Sequence, residues 1–159
     1  MKLRKILIII TFILFITGCK VVKKETNLEH EKQTYQKYVK ELKQRNYSSD
    51  DIPFDIDVVY DRITEDEVRY QVIIDNPKYD LSSLQVIAIH NKQTDDIFPS
   101  LGIFEEKKSL YRGKKPEGLV LVGYIPYDGK LSNFKCKMKV LVKYTYKEQT
   151  HTVFFVKED

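Results

Sequence analysis

The sequence has 159 residues, enough for one domain and a processing segment but too few for two full-sized domains. Hydrophobic residues make up 42% and charged residues 31%, a composition that excludes an intrinsically disordered chain. The net charge of +4 owes three positive charges to residues 2–5, and residues 51–159 carry 16 basic and 18 acidic side chains. We therefore expect no nucleic-acid partner, because nucleic-acid binders usually carry a concentrated basic surface.

The N-terminal segment has the pattern of an export signal. Basic residues at positions 2, 4 and 5 precede the apolar run 6–16, which only Thr11 interrupts. A helix needs roughly 20 apolar residues to cross a bilayer, so this run is too short to be a membrane-spanning helix. We expect residues 1–18 to be a signal peptide.

The signal is followed by Ile16-Thr17-Gly18-Cys19, which resembles the lipobox of bacterial lipoproteins. The resemblance implies that the Cys19 thiol receives a diacylglyceryl group and that cleavage falls between Gly18 and Cys19. A thiol suits thioether formation because its thiolate is a good nucleophile. Two acyl chains anchor a protein stably in a lipid bilayer. We expect a lipid-anchored protein on the extracytoplasmic face of the cell membrane; the alternatives are an ordinary signal peptide with a chance cysteine and an uncleaved signal anchor.

Residues 19–51 are predicted to form a tether with a helix over about residues 28–45. Thr26 and Glu29 have capping-box spacing. The apolar stripe of the helix is narrow, and its members are Leu28, Tyr35, Tyr38, Val39 and Leu42. We interpret the helix as a solvated spacer that packs loosely on the domain; the alternative is a partner-binding or coiled-coil helix. Residues 46–51 read as a linker.

Residues 52–159 show the two-residue period of β-strands. Strands are predicted near residues 54–60, 68–74, 84–89, 97–98, 119–125, 134–146 and 152–156. The longest has apolar residues on one face and lysines on the other, except for Leu141, and we interpret the lysine face as solvated. The pattern predicts a mostly β fold, an immunoglobulin-like β-sandwich of about seven strands preceded by one helix.

Part of this domain resembles the FxLYD-type immunoglobulin-like modules of bacterial envelope lipoproteins. The resemblance covers Tyr70-Gln71-Val72-Ile73-Ile74-Asp75-Asn76-Pro77, Leu84-Gln85-Val86 and Lys115-Pro116-Glu117-Gly118. In those modules a strand ends in Asn-Pro or Asn-Ser, and a Pro/Gly turn precedes a later strand. The FxLYD signature itself is absent from this chain. The resemblance implies a fold and no particular activity.

Few residues of the β domain suggest chemistry. Cys136 is the one cysteine after Cys19, so the mature domain has no internal disulfide, and its apolar neighbours predict a buried thiol. His90, Asp95 and His151 are weak candidates for metal ligands, because no HxH, HExxH or CxxC spacing supports them. We expect no cofactor and no metal.

The sequence favours a non-enzymatic binding or interaction module of the cell envelope, with an envelope protein or cell-wall component as its partner. The segment after His90 is unusually apolar for a connection. Its candidate contact residues are Ile97, Phe98, Leu101, Ile103 and Phe104. A buried sheet edge is the competing interpretation of this segment. Two alternative functions remain: a small metal-dependent envelope enzyme using His90, Asp95 and His151, and a structural accessory subunit that docks through its helix.

Overall fold

The structure is a computed structural model that describes residues 27–114 and 118–158. Helical residues 27–44 are named α1, and eight strands follow within the described part of the chain. The strands are β1 Asp55–Arg62, β2 Glu67–Asp75, β3 Leu81–His90, β4 Ser100–Leu101, β5 Lys108–Leu110, β6 Leu119–Pro126, β7 Lys137–Tyr146 and β8 Gln149–Glu158. The chain divides into two compact units, Met1–Thr34 and Tyr35–Asp159. The second unit contains the second half of α1 and all of these strands.

The strands form two antiparallel sheets. One has three strands in the order β1-β2-β6, and the other has five, in the order β4-β3-β7-β8 with β5 also paired to β3. The predicted mostly β sandwich with a preceding helix is confirmed. The described chain has eight strands and not about seven, because the segment 97–110 contributes two short strands, β4 and β5, where we predicted one.

The main core lies between the two sheets and follows the predicted alternation. On β2, alternate residues from Val68 to Ile74 are buried, and their neighbours are only partly covered. On β7 the inward residues run from Met138 to Tyr144, and Cys136 lies just before them. Period-two alternation places every second side chain on one face of a strand, so these residues meet in one apolar layer.

A second, smaller core lies on the opposite face of the five-stranded sheet, beneath residues 35–44 of α1. Tyr38 and Leu42 are buried there with side chains of three strands and one loop, namely Ile87, Ile89, Ile103, Leu141 and Phe154. The Tyr38 hydroxyl donates a hydrogen bond to Oε1 of Gln85 at 3.1 Å. The second half of α1 therefore covers the sheet and is not a solvated spacer, and it explains why Leu141 interrupts the lysine face.

The segment predicted to be a linker is attached to the edge of β8. The Ser49 amide donates to the Phe154 carbonyl at 2.8 Å, and the Phe154 amide donates to Oγ of Ser49 at 3.0 Å. The Val156 amide donates to Oγ of Ser48 at 2.9 Å. Residues 48 and 49 thus satisfy backbone groups that an edge strand otherwise leaves open.

Candidate binding face

The outward face of the three-stranded sheet carries an unusual number of apolar side chains. The pairing registers place its residues in rows that cross all three strands, namely Asp57–Ile73–Val120, Val59–Gln71–Val122 and Asp61–Arg69–Tyr124. Val59, Val120, Val122 and Tyr124 are each more than 40% exposed. An antiparallel sheet with one solvated face usually alternates apolar-in with polar-out. We call these three rows the open face.

The open face is also acidic. Arg69 forms an ion pair with Asp61, and this pair lowers the pKa of the Asp61 carboxyl and raises that of the Arg69 guanidinium, mainly through the hydrogen bonds between them. Further carboxylates lie on the outward side of β1 and β2, namely Asp55, Asp57, Glu67 and Asp75. No ion pair among the described residues involves these four. The face therefore combines apolar side chains with excess negative charge.

The two edges of this sheet differ in sequence. The outward residues of β1 include three aspartates, and charged side chains discourage pairing with another chain. The sequence of β6, LVLVGYIP, has no charged residue in eight positions. Among the described residues, no backbone hydrogen bond joins the second edge of β6 to another segment. β6 is thus a long, apolar strand with an open edge.

A cleft of about 490 Å³ lies beside β6. One wall is Val122–Tyr124, and the other is the loop that follows β3. The lining residues of the loop and the cleft floor are Tyr70, His90, Thr94, Asp95, Asp96, Ile97, Phe98 and Pro99. Its size falls in the range of roughly 300–1,000 Å³ typical of ligand pockets.

The floor of the cleft is a cluster of three rings. His90 makes edge-on contacts with Tyr70 and Phe98, with ring centroids 5.5 and 5.2 Å apart. His90 is only 8% exposed. Burial lowers the pKa of His90, and a hydrogen bond to the Lys92 backbone and the negative charge of Asp96 oppose that effect. Burial likewise raises the pKa of Tyr70.

Gly123 lets the Tyr70 ring lie against β6. A Cβ at position 123 would stand 2.3 Å from both Cζ and Oη of Tyr70, a distance that atoms do not tolerate. Gly123 and Tyr70 are also register partners across β6 and β2. The absent side chain thus makes room for the ring that forms the cleft floor.

The candidate contact residues after His90 do not form one patch. Ile97 is 81% exposed, and with Phe98 it lines the cleft beside β6. Leu101 packs against the main core and Ile103 is buried beneath α1. Phe104 contacts the ring of Tyr35, with centroids 5.5 Å apart. Only the first two of the five residues therefore adjoin the open face.

The weak metal-ligand candidates do not converge. His90 ends β3 opposite Met138, whereas His151 lies on β8 opposite Tyr144. Six positions of β7 separate those partners, roughly 20 Å at about 3.3 Å per residue. Asp95 is exposed in the loop near His90. No group of three potential ligands is close enough to hold a metal ion within the described residues.

The remaining predicted residues have structural surroundings. Cys136 is buried in the main core, as its neighbours predicted. Tyr38 and Leu42 are buried against the chain's own sheet, so neither is exposed to a docking partner. Lys137 pairs with Glu158 at 3.0 Å, and Lys143 lies over the Tyr38 ring at 6.0 Å from its centroid. The lysine face therefore borders α1.

Sequence reasoning missed Ile73, Val120, Val122 and Tyr124 as outward-facing residues. A signal was present, because residues 119–125 are apolar on both faces of the strand while residues 134–147 alternate with lysine. An apolar run of this kind also describes a strand buried on both faces. Only the tertiary structure, in which Val120, Val122 and Tyr124 are exposed, distinguishes the two cases.

The fold and this face define a class of protein: a β-sandwich with one sheet covered by its own helix and the other open. No protein-family model, no curated protein and no solved structure matches this chain. None of its described helices is long and apolar enough to span a membrane.

Proposed function

We propose that this protein is a lipid-anchored module on the extracytoplasmic face of the cell membrane that binds an envelope component without catalysing a reaction. The observation that carries the binding role is the open face, where Val59, Val120, Val122 and Tyr124 are exposed together. Contiguous exposed apolar residues with a polar rim mark interaction sites. The partner is an envelope protein or cell-wall component.

The anchoring part of the proposal is supported by the sequence alone. The pattern Ile16-Thr17-Gly18-Cys19 follows a basic and apolar signal of export length. Both Gly18 and Cys19 lie outside the described residues. Two acyl chains on Cys19 hold the protein at the bilayer surface.

The strand order supports a role in presentation and binding. The orders β1-β2-β6 and β3-β7-β8 correspond to the ABE and CFG strands of immunoglobulin-like modules, an architecture that many cell-surface domains share. This correspondence is a fold-level analogy and specifies no ligand. It fits the resemblance to envelope modules in the sequence.

Metabolic labelling with an acyl analogue tests the anchor. We expect the wild-type chain to incorporate the label and to be recovered with membranes, and Cys19→Ala to do neither. The variant Cys136→Ala is the matched control, because it removes the other cysteine and leaves the lipobox intact. Equal labelling of the wild type and Cys19→Ala contradicts the anchoring proposal.

Site-specific photo-crosslinking in intact cells tests the binding face. A crosslinking residue in place of Val122 is expected to yield discrete adducts. The same residue at Thr150, exposed at the β7–β8 turn of the other sheet, is the control. Identical adduct patterns from the two positions contradict a role for the open face.

A further inference from the structure

We propose that the open edge of β6 binds an extended segment of a partner protein as an added strand, and that this segment alternates apolar and basic side chains. The inference rests on the proposed function, because it specifies the partner chemistry for the open face. Strand addition obtains affinity from main-chain hydrogen bonds and specificity from alternate side chains. The edge, the face and the cleft each supply one part of that recognition.

The edge supplies the backbone hydrogen bonds. The other sheet edges of the described chain are each blocked in some way. Ser48 and Ser49 bond to β8, the short strands β4 and β5 pair with one side of β3, and β1 carries aspartates. β6 has eight residues and none of these protections. An unprotected edge of this length is a template for pairing with another chain.

The open face selects apolar side chains on one side of the added strand. Side chains directly opposite on neighbouring antiparallel strands lie about 4.5–5.5 Å apart. Outward residues of an added strand would therefore lie beside Val120, Val122 and Tyr124, each of which is already substantially exposed. Burying these side chains against apolar partners removes apolar surface from water and stabilises the complex.

The cleft selects a basic side chain on the other side of the strand. A residue opposite Gly123 would direct its side chain inward, between β6 and the loop that carries Asp95 and Asp96. Both carboxylates are exposed, and neither forms an ion pair with another described residue. Charge complementarity of this kind sets partner specificity.

The same charges argue against a second copy of this chain as the occupant. If β6 of one copy paired with β6 of another, the inward side chains offered to the cleft would be those of Leu119, Leu121, Gly123 and Ile125. None of these carries a positive charge to meet Asp95 and Asp96. The open face is also net acidic, so two copies repel each other.

The test measures binding of a blocked, fluorescent peptide of alternating Lys and Val, eight residues long, to the full chain in non-ionic detergent. Two comparison peptides separate the contribution of main-chain hydrogen bonds from that of charge. One is N-methylated at alternate residues, so it keeps the side chains but loses the backbone donors on one edge. The other has Glu in place of Lys. We expect fluorescence anisotropy to show both binding at least about tenfold more weakly than the Lys-Val peptide. Empty micelles give the blank.

Protein variants locate the site. Val122→Lys is expected to weaken binding at least about tenfold, because a lysine on the edge repels the cationic peptide and blocks pairing. Ile63→Lys is the matched control, since Ile63 is 46% exposed against 42% for Val122 but lies in the connection between β1 and β2, outside the open face. It is expected to change affinity less than about twofold. The double variant Asp95→Asn, Asp96→Asn is expected to weaken binding of the Lys-Val peptide but not of the peptide with Glu in place of Lys.

Three results overturn the inference: undiminished binding of the N-methylated peptide, equal losses from Val122→Lys and Ile63→Lys, or a concentration-dependent dimer in sedimentation that Val122→Lys dissociates. The peptide comparison uses the unaltered protein, so it holds even if a variant misfolds. Acyl labelling of Cys19 and crosslinking from position 122 are independent of all three. If those succeed and peptide binding fails, the proposed function stands and strand addition alone is rejected.

Discussion

Lys139 on β7 donates a hydrogen bond from Nζ to the carbonyl oxygen of Lys43, 3.0 Å away, in the last turn of α1. A cation at this end of a helix satisfies a carbonyl that lacks an intrahelical partner and interacts favourably with the helix dipole. Desolvation lowers the pKa of Lys139, and the nearby Lys137 lowers it further. The contact shows that the lysine face of β7 holds the end of α1 in place.

Leu42→Ala is expected to lower the free energy of unfolding by about 2–5 kcal/mol, because it leaves a cavity under α1 where the side chain is fully buried. Denaturant unfolding followed by circular dichroism measures the change. Leu28→Ala is the matched control: the same substitution in the same helix at a residue 47% exposed should change stability by no more than about 0.5 kcal/mol. Equal effects would mean that α1 does not pack on the sheet.

Ser49→Ala is expected to cost about 1–2 kcal/mol, because the Phe154 amide loses the hydroxyl that accepts its hydrogen bond on the part-buried edge of β8. Faster amide hydrogen exchange at Phe154 should accompany the loss. Ser132→Ala, which removes an exposed hydroxyl 3.5 Å from Oδ1 of Asn133, is the control. Unchanged exchange at Phe154 in the Ser49 variant would count against edge protection by this segment.

Gly123→Ala is expected to destabilise the fold by about 1–3 kcal/mol, because the added Cβ meets the Tyr70 ring. Removing the ring should relieve the clash, so the cost of Gly123→Ala should fall in a Tyr70→Leu background. A double-mutant cycle measures this coupling, which we expect to exceed about 0.5 kcal/mol. If the effects of the two substitutions on the free energy of unfolding were strictly additive, the clash would be absent in solution.

Alkaline pH is expected to destabilise the protein through its buried tyrosines. Burial raises the pKa of Tyr70, and it also raises those of Tyr38 and Tyr144. Above the unfolded-state pKa of about 10, the folded state binds more protons than the unfolded state, so the stability is fully present below pH 10 and is lost as the pH rises further. Lys139 acts in the opposite direction because its pKa is lowered.

Comparing Tyr70→Phe with the wild type isolates the contribution of Tyr70 to this loss of stability at alkaline pH. Tyr70→Phe should make the loss of unfolding free energy above pH 10 shallower than in the wild type, as urea titrations at a series of pH values measure. Tyr47→Phe, at a side chain 84% exposed, is the control, and the difference between variants cancels the effect of Lys139. Parallel curves for the wild type and Tyr70→Phe would reject the burial explanation.

The local elements of this fold are readable from the sequence. The helix was expected at about residues 28–45 and is found at 27–44, and the inward residues of β2 and β7 are those that the alternation indicated. Helical and strand periods follow from backbone geometry and act over a few residues. Leu141 is the informative exception, since its apolar side chain is placed outward for a helix more than 90 residues earlier in the chain.

The candidate site was less predictable. The contact segment was chosen for its apolar loop residues, yet Ile103 is covered by α1 while Val120 and Val122, assigned to an ordinary strand, are exposed. His90 ends β3 and His151 is the third residue of β8, and the strand pairing places them far apart in space. Exposure depends on what packs over a residue, and that neighbour is usually distant in sequence.

Sequence by itself determined the periods, the inward faces of the strands and the expectation of an acylated cysteine, because each depends on neighbouring residues. Only the tertiary structure decided that β6 ends a sheet, that the Ser48–Ser49 segment closes the β8 edge, and that α1 covers one sheet and leaves the other open. Several strand orders satisfy the same alternation equally well. The choice among them is made by hydrogen bonds and packing between segments far apart in the chain.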